Sequence, residues 1–528
     1  MWAYPEISAL GDIPAYHARR NPNRVAMLFQ GRETTFAELE SRSASLARAL
    51  QARIDRGEPR AAQARIGFLG KNSDDYLALL FAAAKAGACF MPFNWRLSAH
   101  ELGAIFADAA PDLLIVEPAF NDLMSAAFEK LPGPPPPVFR CDTQGGPEGA
   151  LLRWASNFAP LGQSPAKPDD IAMMLYTSGT TGVPKGVRIT HGAFNFMRLC
   201  EHLEPAYQWR EDDRMLLALP NFHLFGNQIA LQFLYNGLSV SILPAFTPAD
   251  ALANIARERP TTAVLAPAMI QMLLDRADAE TADLGSLRLI VYSGSPIASA
   301  LLKRAMARTG SAFMQLYGAT EANGAVTLLR PNEHEGAHDD ILRSCGKPMP
   351  LMEVRILNAD GEEAAAGEIG EICVRTPAIA AGYHNRPEET AKAFANGWYR
   401  TGDAGYRDQA GFFYICDRLK DMIVSGGENI YSVEIEKALA SHPDIEAVAV
   451  IGVPDEKWGE AVKAFVQLRV GAAENPAALV EHARAYLAGY KTPKSFEFVQ
   501  TMPLSATGKI QKSILRAPYW QDHGRQIA

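Results

Sequence analysis

Short apolar runs and helical patterns take turns along the first two-thirds of this chain, and that alternation leaves few folds open. RIGFLG (65–70) is followed by the capping candidates Asn72 and Ser73. DDYLALLFAAAKAG then reads as a helix stopped at Gly87. IAMMLY, MLLALP, SVSILP, TTAVLAPA and LRLIVYSG are further buried-strand candidates, and several run into helical stretches. Strands that alternate with helices imply βα units and largely parallel sheets. An earlier helix opens on a capping box, Thr35 with Glu38, and carries Phe36, Leu39, Leu46 and Leu50 at helical spacing. The expectation is an α/β fold with a large N-terminal domain of βα-layered sheets.

After about residue 343 the rhythm changes. EVRIL, GEICVR and FFYIC are short strands separated by turns that contain Gly and Asp, which predicts a small antiparallel, β-barrel-like lobe over about 343–416. From Asp417 a small α+β domain begins, with strands AVAVIGV and AVKAFVQL and a helix near 476–488. The boundary falls within DRLKD (417–421), giving domains 1–416 and 417–528. The tetraproline at 134–137 reads as a stiff surface loop.

The 528 residues are 48% apolar and 21% charged, the balance of a soluble globular protein. A formal net charge of -8 argues against nucleic-acid binding driven by bulk charge. The six cysteines form no CxxC pair, so neither a thiolate zinc site nor a disulfide framework is expected, and a reducing cytoplasm fits. The N-terminal MWAYPEISALGD turns polar too soon for a signal peptide, and no apolar run is long enough to span a bilayer.

The chemistry concentrates in YTSGTTGVPKGV (176–187), directly after the strand IAMML. Its glycines let successive backbone N–H groups point at one anion, its hydroxyls add donors, and Lys185 adds a charge. This is a loop built to grip phosphate. It is not a Walker A loop: Pro184 and Gly186 stand where that pattern needs Gly and Ser or Thr. HEGAH (334–338) matches the H-E-x-x-H zinc pattern in letters only, because Pro331, Gly336, Asp339 and Asp340 oppose the amphipathic helix it needs. VYSGSP lacks the first Gly of a nucleophile elbow.

YTSGTTGVPKG resembles the signature of the acyl-adenylate-forming enzymes: acyl-CoA synthetases, peptide-synthetase adenylation domains and beetle luciferases. Further matches follow in that family's order: LPNFHLFG (219–226), SGSP (293–296), YGATE (317–321), YRTGD (399–403), DRLKDMIVSGGENIYSVEIE (417–436) and PLSATGKIQK (503–512). The resemblance implies a two-step reaction. A carboxylate attacks the α-phosphorus of ATP to give acyl-AMP and pyrophosphate, and a thiol, usually that of CoA, then displaces AMP.

Carried over by resemblance, Thr177, Ser178, Gly179, Thr180, Thr181 and Lys185 hold the β- and γ-phosphates. Gly294, Ser295 and Pro296 pack on one face of adenine and Tyr317 on the other, with Gly318 and Ala319 beside it. Thr320 donates to the α-phosphate, and Glu321 helps hold Mg²⁺, a hard cation that prefers oxygen ligands. Asp403 takes the ribose hydroxyls, with Arg418 as a second contact. Lys509 bridges the substrate carboxylate and the α-phosphate, and Lys420 is the hinge about which the mobile small domain turns. Gly426 and Gly427 resemble the face presented to the pantetheine of CoA. Arg484, Lys491, Lys494, Lys512 and Arg516 make the C-terminal stretch locally cationic, which suits the CoA phosphates.

The acyl pocket is expected to draw on 222–229 and 319–324, including Phe222, Phe225 and Gly324, with His223 at a gating position. The stretch 219–234 contains no charged residue. It lacks the Asp with which amino-acid-activating relatives pair an α-ammonium, and no Arg or Lys offers itself for a second carboxylate. An apolar monocarboxylic acid, fatty or aryl, is therefore the expected partner. Loading of a carrier protein instead of CoA, a non-catalytic nucleotide-binding protein and a zinc hydrolase at HEGAH are the competing readings, and the sequence leaves a homodimer open.

Overall fold

In the computed structural model the described residues are 4–54, 63–141, 149–162, 164–177, 184–276, 281–295, 297–358, 360–425, 428–455, 457–504 and 510–520. They fall into two units, Met1–Val354 with Val374–Tyr399, and Arg355–Cys373 with Arg400–Ala528.

The alternating runs of the larger unit resolve into two sheets. In one, six strands lie parallel in the order Ala312–Ala319, Leu289–Ser293, Thr262–Leu265, Arg214–Leu217, Ser239–Ile242, Val25–Phe29. Antiparallel strands extend it at both edges, Arg32–Thr35 at one and Gly324–Leu329 with Lys347–Pro348 at the other. In the other sheet, Val138–Arg140, Leu113–Val116, Arg65–Leu69, Cys89–Pro92 and Ile171–Thr177 are parallel, and Lys185–Thr190 closes the edge antiparallel. The parallel strands Arg65–Leu69, Cys89–Pro92, Leu113–Val116 and Thr262–Leu265 are buried almost throughout, as their uninterrupted apolar runs require.

The local signals hold. Ser73 accepts the N–H of Tyr76 and starts the helix Asp74–Lys85, whose twelve residues are all buried. Thr35 and Glu38 exchange capping bonds ahead of the helix Phe36–Ile54. No helix among the described residues is long and apolar enough to cross a membrane.

In the smaller unit, Ile445–Asp455 and Gly459–Leu468 form a long antiparallel pair. Ser495–Phe498 joins it parallel and Ile423–Ser425 antiparallel. The helices Ser432–Ala440 and Pro476–Tyr486 contribute Ile435, Leu439, Leu479 and Ala483 to the core with Val450, Val462 and Val466. Five of the six cysteines of the whole chain are buried, and Cys416 is half-buried. Burial holds the thiols of Cys89, Cys200 and Cys373 at about 12 and that of Cys416 at about 11.

HEGAH does not form the helix that the zinc pattern needs. His334 ends the one-turn helix Pro331–His334, and both its ring nitrogens are engaged, Nε2 with the Tyr292 hydroxyl at 3.0 Å and Nδ1 with the Arg330 carbonyl at 2.8 Å. His338 is exposed beside Asp340. Among the described residues no three His, Cys, Asp or Glu side chains gather as metal ligands. Burial lowers the His334 pKa from 6.5 to about 4. The unfolded chain therefore protonates this ring at a pH where the folded chain does not, and stability drains away as pH falls through that window. His334→Gln should be destabilising near pH 7, where two hydrogen bonds are lost. Its deficit against wild type should shrink by up to about 3 kcal/mol towards pH 4. Urea unfolding of both proteins at the two pH values checks this, and a pH-independent gap would contradict it.

Candidate active site

Four of the recognised motifs stand where parallel strands end. Arg214–Leu217 leads into LPNFHLFG, Leu289–Ser293 into Gly294 and Ser295, Ala312–Ala319 into Thr320 and Glu321, and Ile171–Thr177 into the Gly- and Thr-rich loop. Carboxyl ends of parallel strands are where open α/β sheets bind ligands. Ser293 registers with Leu316, so Gly294 and Tyr317 continue neighbouring strands. Gly294 has φ +95 and open space where a Cβ would be, which leaves a bare backbone strip beside the half-buried Tyr317.

Thr177 and Lys185, at the two ends of the Gly- and Thr-rich stretch, stand opposite each other on antiparallel neighbours. Lys185 pairs with Glu389 and lies 5.1 Å from the centre of the Tyr383 ring. Tyr383 in turn donates from its hydroxyl to Glu321 Oε1 at 3.0 Å. The connection is held from the main chain as well. Arg188 and Gly382 bond at 3.0 Å, Ala381 and Arg188 at 2.7 Å, and the Ala380 N–H donates to the Glu321 carbonyl at 2.9 Å. Lys185 and Glu321, 136 residues apart, are thus joined through one tyrosine. Burial first, and the Glu321 carboxylate second, hold the Tyr383 phenol far above its ordinary value, so it stays a donor. Neither Tyr383 nor Glu389 was expected from the sequence.

Thr320 and Glu321 ride on a tight turn. The Ala322 N–H donates to the Ala319 carbonyl and the Asn323 N–H to the Thr320 carbonyl. Asn323 has φ +58 and Gly324 φ +124, and the strand pair slips register between Tyr317 and Gly318. A Cβ on Gly318 would stand 1.8 Å from the Gly324 carbonyl oxygen, so only glycine fits.

The segment before the helix Leu224–Tyr235 is braced by buried amides. Asn221 Nδ2 donates to the Gly70 carbonyl, Asn227 Nδ2 to the Asn221 and His223 carbonyls, and the Tyr76 hydroxyl to Asn227 Oδ1 at 2.9 Å. Phe222 is buried against Trp95, while His223 and Phe225 are half-buried. The two stretches expected to line an acyl pocket do meet: a Cβ on Gly324 would lie 3.5 Å from Gln228 Cγ and 3.6 Å from Met197 Cε. Met197 was not foreseen.

In the smaller unit Asp403 faces Arg418 across an antiparallel pair, with Arg418 Nε 3.1 Å from Asp403 Oδ1. Lys420 lies in the single turn Leu419–Asp421 that follows the strand Phe413–Arg418. Three of the five C-terminal cations are already matched: Lys491 with Glu434, Lys512 with Glu436, and Arg516 with Asp421. Ser178, Gly179, Thr180, Thr181, Pro296, Gly426, Gly427 and Lys509 lie outside the described residues.

Residues 15–384 match the AMP-binding enzyme family, and residues 434–509 match the AMP-binding enzyme C-terminal domain. The chain is 38% identical over 515 residues to a feruloyl-CoA synthase of an Amycolatopsis species, covering 96% of this chain and 98% of that one. It is 35% identical over 529 residues to the fatty acid–[acyl-carrier-protein] ligase ScoC of Streptomyces coeruleorubidus, covering 99% of each. Among solved structures, the o-succinylbenzoate CoA synthetase of Bacillus subtilis with its acyl-adenylate intermediate superposes with a TM-score of 0.82 at 29% identity, over 98% of both chains. The chain belongs to the AMP-binding enzyme family, the adenylate-forming superfamily, in its acyl-CoA synthetase branch.

Proposed function

We propose that this protein is an ATP-dependent acyl-CoA synthetase for an apolar monocarboxylic acid. The observation that carries the reading is the linkage Lys185–Tyr383–Glu321, which ties the phosphate-gripping hairpin to the turn of YGATE. A carboxylate oxygen of the acid attacks the α-phosphorus, the bond to the bridging oxygen breaks, and pyrophosphate leaves with the electron pair. The thiolate sulfur then attacks the acyl carbon, and AMP leaves. Lys185, with Thr177 and the loop hydroxyls of Ser178, Thr180 and Thr181, neutralises the leaving pyrophosphate. Thr320 holds the α-phosphate, and Lys509 screens the two anions from each other.

The half-buried Glu321 carboxylate fits a hard cation, since one oxygen is fixed by Tyr383 and carboxylate oxygens suit Mg²⁺. When bound, Mg²⁺ supplies charge neutralisation at the phosphates. Asp403 and Arg418 serve the ribose, Gly294, Ser295, Pro296 and Tyr317 the adenine, and Phe222, Phe225 and Gly324 the acyl group, with His223 as its gate. The domains are 1–416 and a cap of 417–528 turning about Lys420, where element ends absorb backbone rotation. A cytoplasmic location goes with this reading. With Lys491, Lys512 and Arg516 paired internally, Arg484 and Lys494 are left as the candidates for the CoA phosphates.

Pyrophosphate release with ATP and Mg²⁺, across fatty, benzoic and cinnamic acids with and without CoA, tests this. Turnover with one acid class, sustained only with CoA, is the expected result. A single stoichiometric burst unaffected by CoA would favour the second reading, a carrier-protein thiol as acceptor. The full-length similarity to a carrier-protein ligase is what supports that reading.

A further inference from the structure

We propose that Gln228 is a positioning residue for the turn that carries Thr320 and Glu321, and that Arg198 sets the orientation in which it acts. The assignment rests on the reading that Thr320 and Glu321 serve the nucleotide and its cation.

Four side chains form a buried relay: Glu201, Arg198, Gln228 and Asn323, each 5% exposed or less. Arg198 and Glu201 sit one turn apart on the helix His191–His202 and pair at 2.7 Å. Arg198 donates to the Gln228 main-chain carbonyl at 2.9 Å and to its side-chain oxygen Oε1. Gln228 Nε2 donates to both the main-chain carbonyl and the side-chain Oδ1 of Asn323.

The polarity of this chain of bonds is forced. A guanidinium only donates, so the end of the Gln228 amide facing Arg198 must be the oxygen. The amide nitrogen then faces Asn323, which offers it two acceptors. Glutamate would still satisfy Arg198 but would set its second oxygen against two oxygens of Asn323. Glu201 pairs with the buried guanidinium, so Arg198 does not stand in the core without a carboxyl partner.

What the relay holds is a strained point. Asn323 is left-handed at φ +58, and its N–H closes the turn onto the Thr320 carbonyl. Two bonds from one amide fix that residue from outside the turn. Gln228 belongs to the helix Leu224–Tyr235, one helical turn beyond Phe225, so the same helix that carries the acyl-pocket residues also sets the turn of Thr320 and Glu321.

The test compares wild type, Gln228→Glu, Gln228→Met and the double variant Gln228→Glu/Asn323→Gly. The readouts are single-turnover acyl-AMP formation and hydrogen exchange of the peptide spanning 316–329. Gln228→Glu should lower the rate constant by about 10–100-fold, as loss of an outer-shell partner does. The KM for ATP should move less than about twofold, because the phosphate-gripping loop is untouched. Exchange across 319–324 should quicken in both single variants. Glycine adopts a positive φ unaided and lacks one of the two opposing oxygens, the side-chain Oδ1, so the double variant should recover part of the lost rate. Unchanged exchange in Gln228→Glu, or a double variant worse than the single one, overturns the relay. Wild type inert with every acid would instead remove the proposed function, and the exchange comparison would still decide the relay.

Discussion

Replacing Lys509 with alanine is expected to slow acyl-AMP formation by about 10²–10³-fold, the scale of losing one well-placed electrostatic stabiliser. The acid and the α-phosphate are both anions, and nothing but a cation between them makes their approach favourable. An ammonium suits the task because it is a compact point charge with three donors. The described residues on either side of it are tied to each other. Leu504 and Ile510 form an antiparallel bridge, and the Gln511 N–H bonds the Pro503 carbonyl at 2.8 Å. Just beyond, Lys512 is pinned to Glu436 at 2.8 Å and to Ser432, so the segment after Lys509 has a fixed origin. Thioester formation from supplied acyl-AMP should be nearly untouched by Lys509→Ala. If acyl-AMP forms at the wild-type rate, Lys509 is not the bridging cation.

The second large effect is expected at Gly318. A methyl group there would meet the Gly324 carbonyl oxygen at 1.8 Å, and neither partner is a side chain that can swing away. The main chain of the turn must move, at about 1–3 kcal/mol or more for such overpacking. Displacing Thr320 and Glu321 by even an ångström carries a rate loss on the order of 10²-fold. Gly318→Ala should therefore lower both the unfolding midpoint and acid-dependent pyrophosphate release. Gly162→Ala is the control: its Cβ would meet nothing within 4 Å, and it should change neither. A Gly318→Ala protein with normal turnover would show that the turn tolerates displacement.

The strands and helices were legible because fully apolar runs and capping residues are local signals, and RIGFLG, IAMMLY and LRLIVYSG each became buried parallel strands. The motif residues were legible for the same reason: they lie together in the chain. What could not be read is the charge partner supplied from elsewhere. Glu389 reaches Lys185 only because residues 381–384 bond along the strand Lys185–Thr190. The stretch 219–234 is free of charge in the sequence, yet Arg198 from another helix is bonded to Gln228 within it. Because Glu201 already pairs with that arginine, the expectation of an apolar acid survives its arrival. The cationic C-terminal stretch looked available until Glu434, Glu436 and Asp421 were found opposite Lys491, Lys512 and Arg516.

The buried cysteines have a consequence for selectivity. An enzyme that makes a mixed anhydride in order to hand it to a thiol must avoid acylating itself. With their pKa values near 12, Cys89, Cys200 and Cys373 expose roughly one thiolate in 10⁵ at neutral pH, and only the thiolate is nucleophilic. Cys416, at about 11, is little better as a competitor. Burial silences these four thiols chemically, and the incoming acceptor meets the activated acyl group without an internal rival from them.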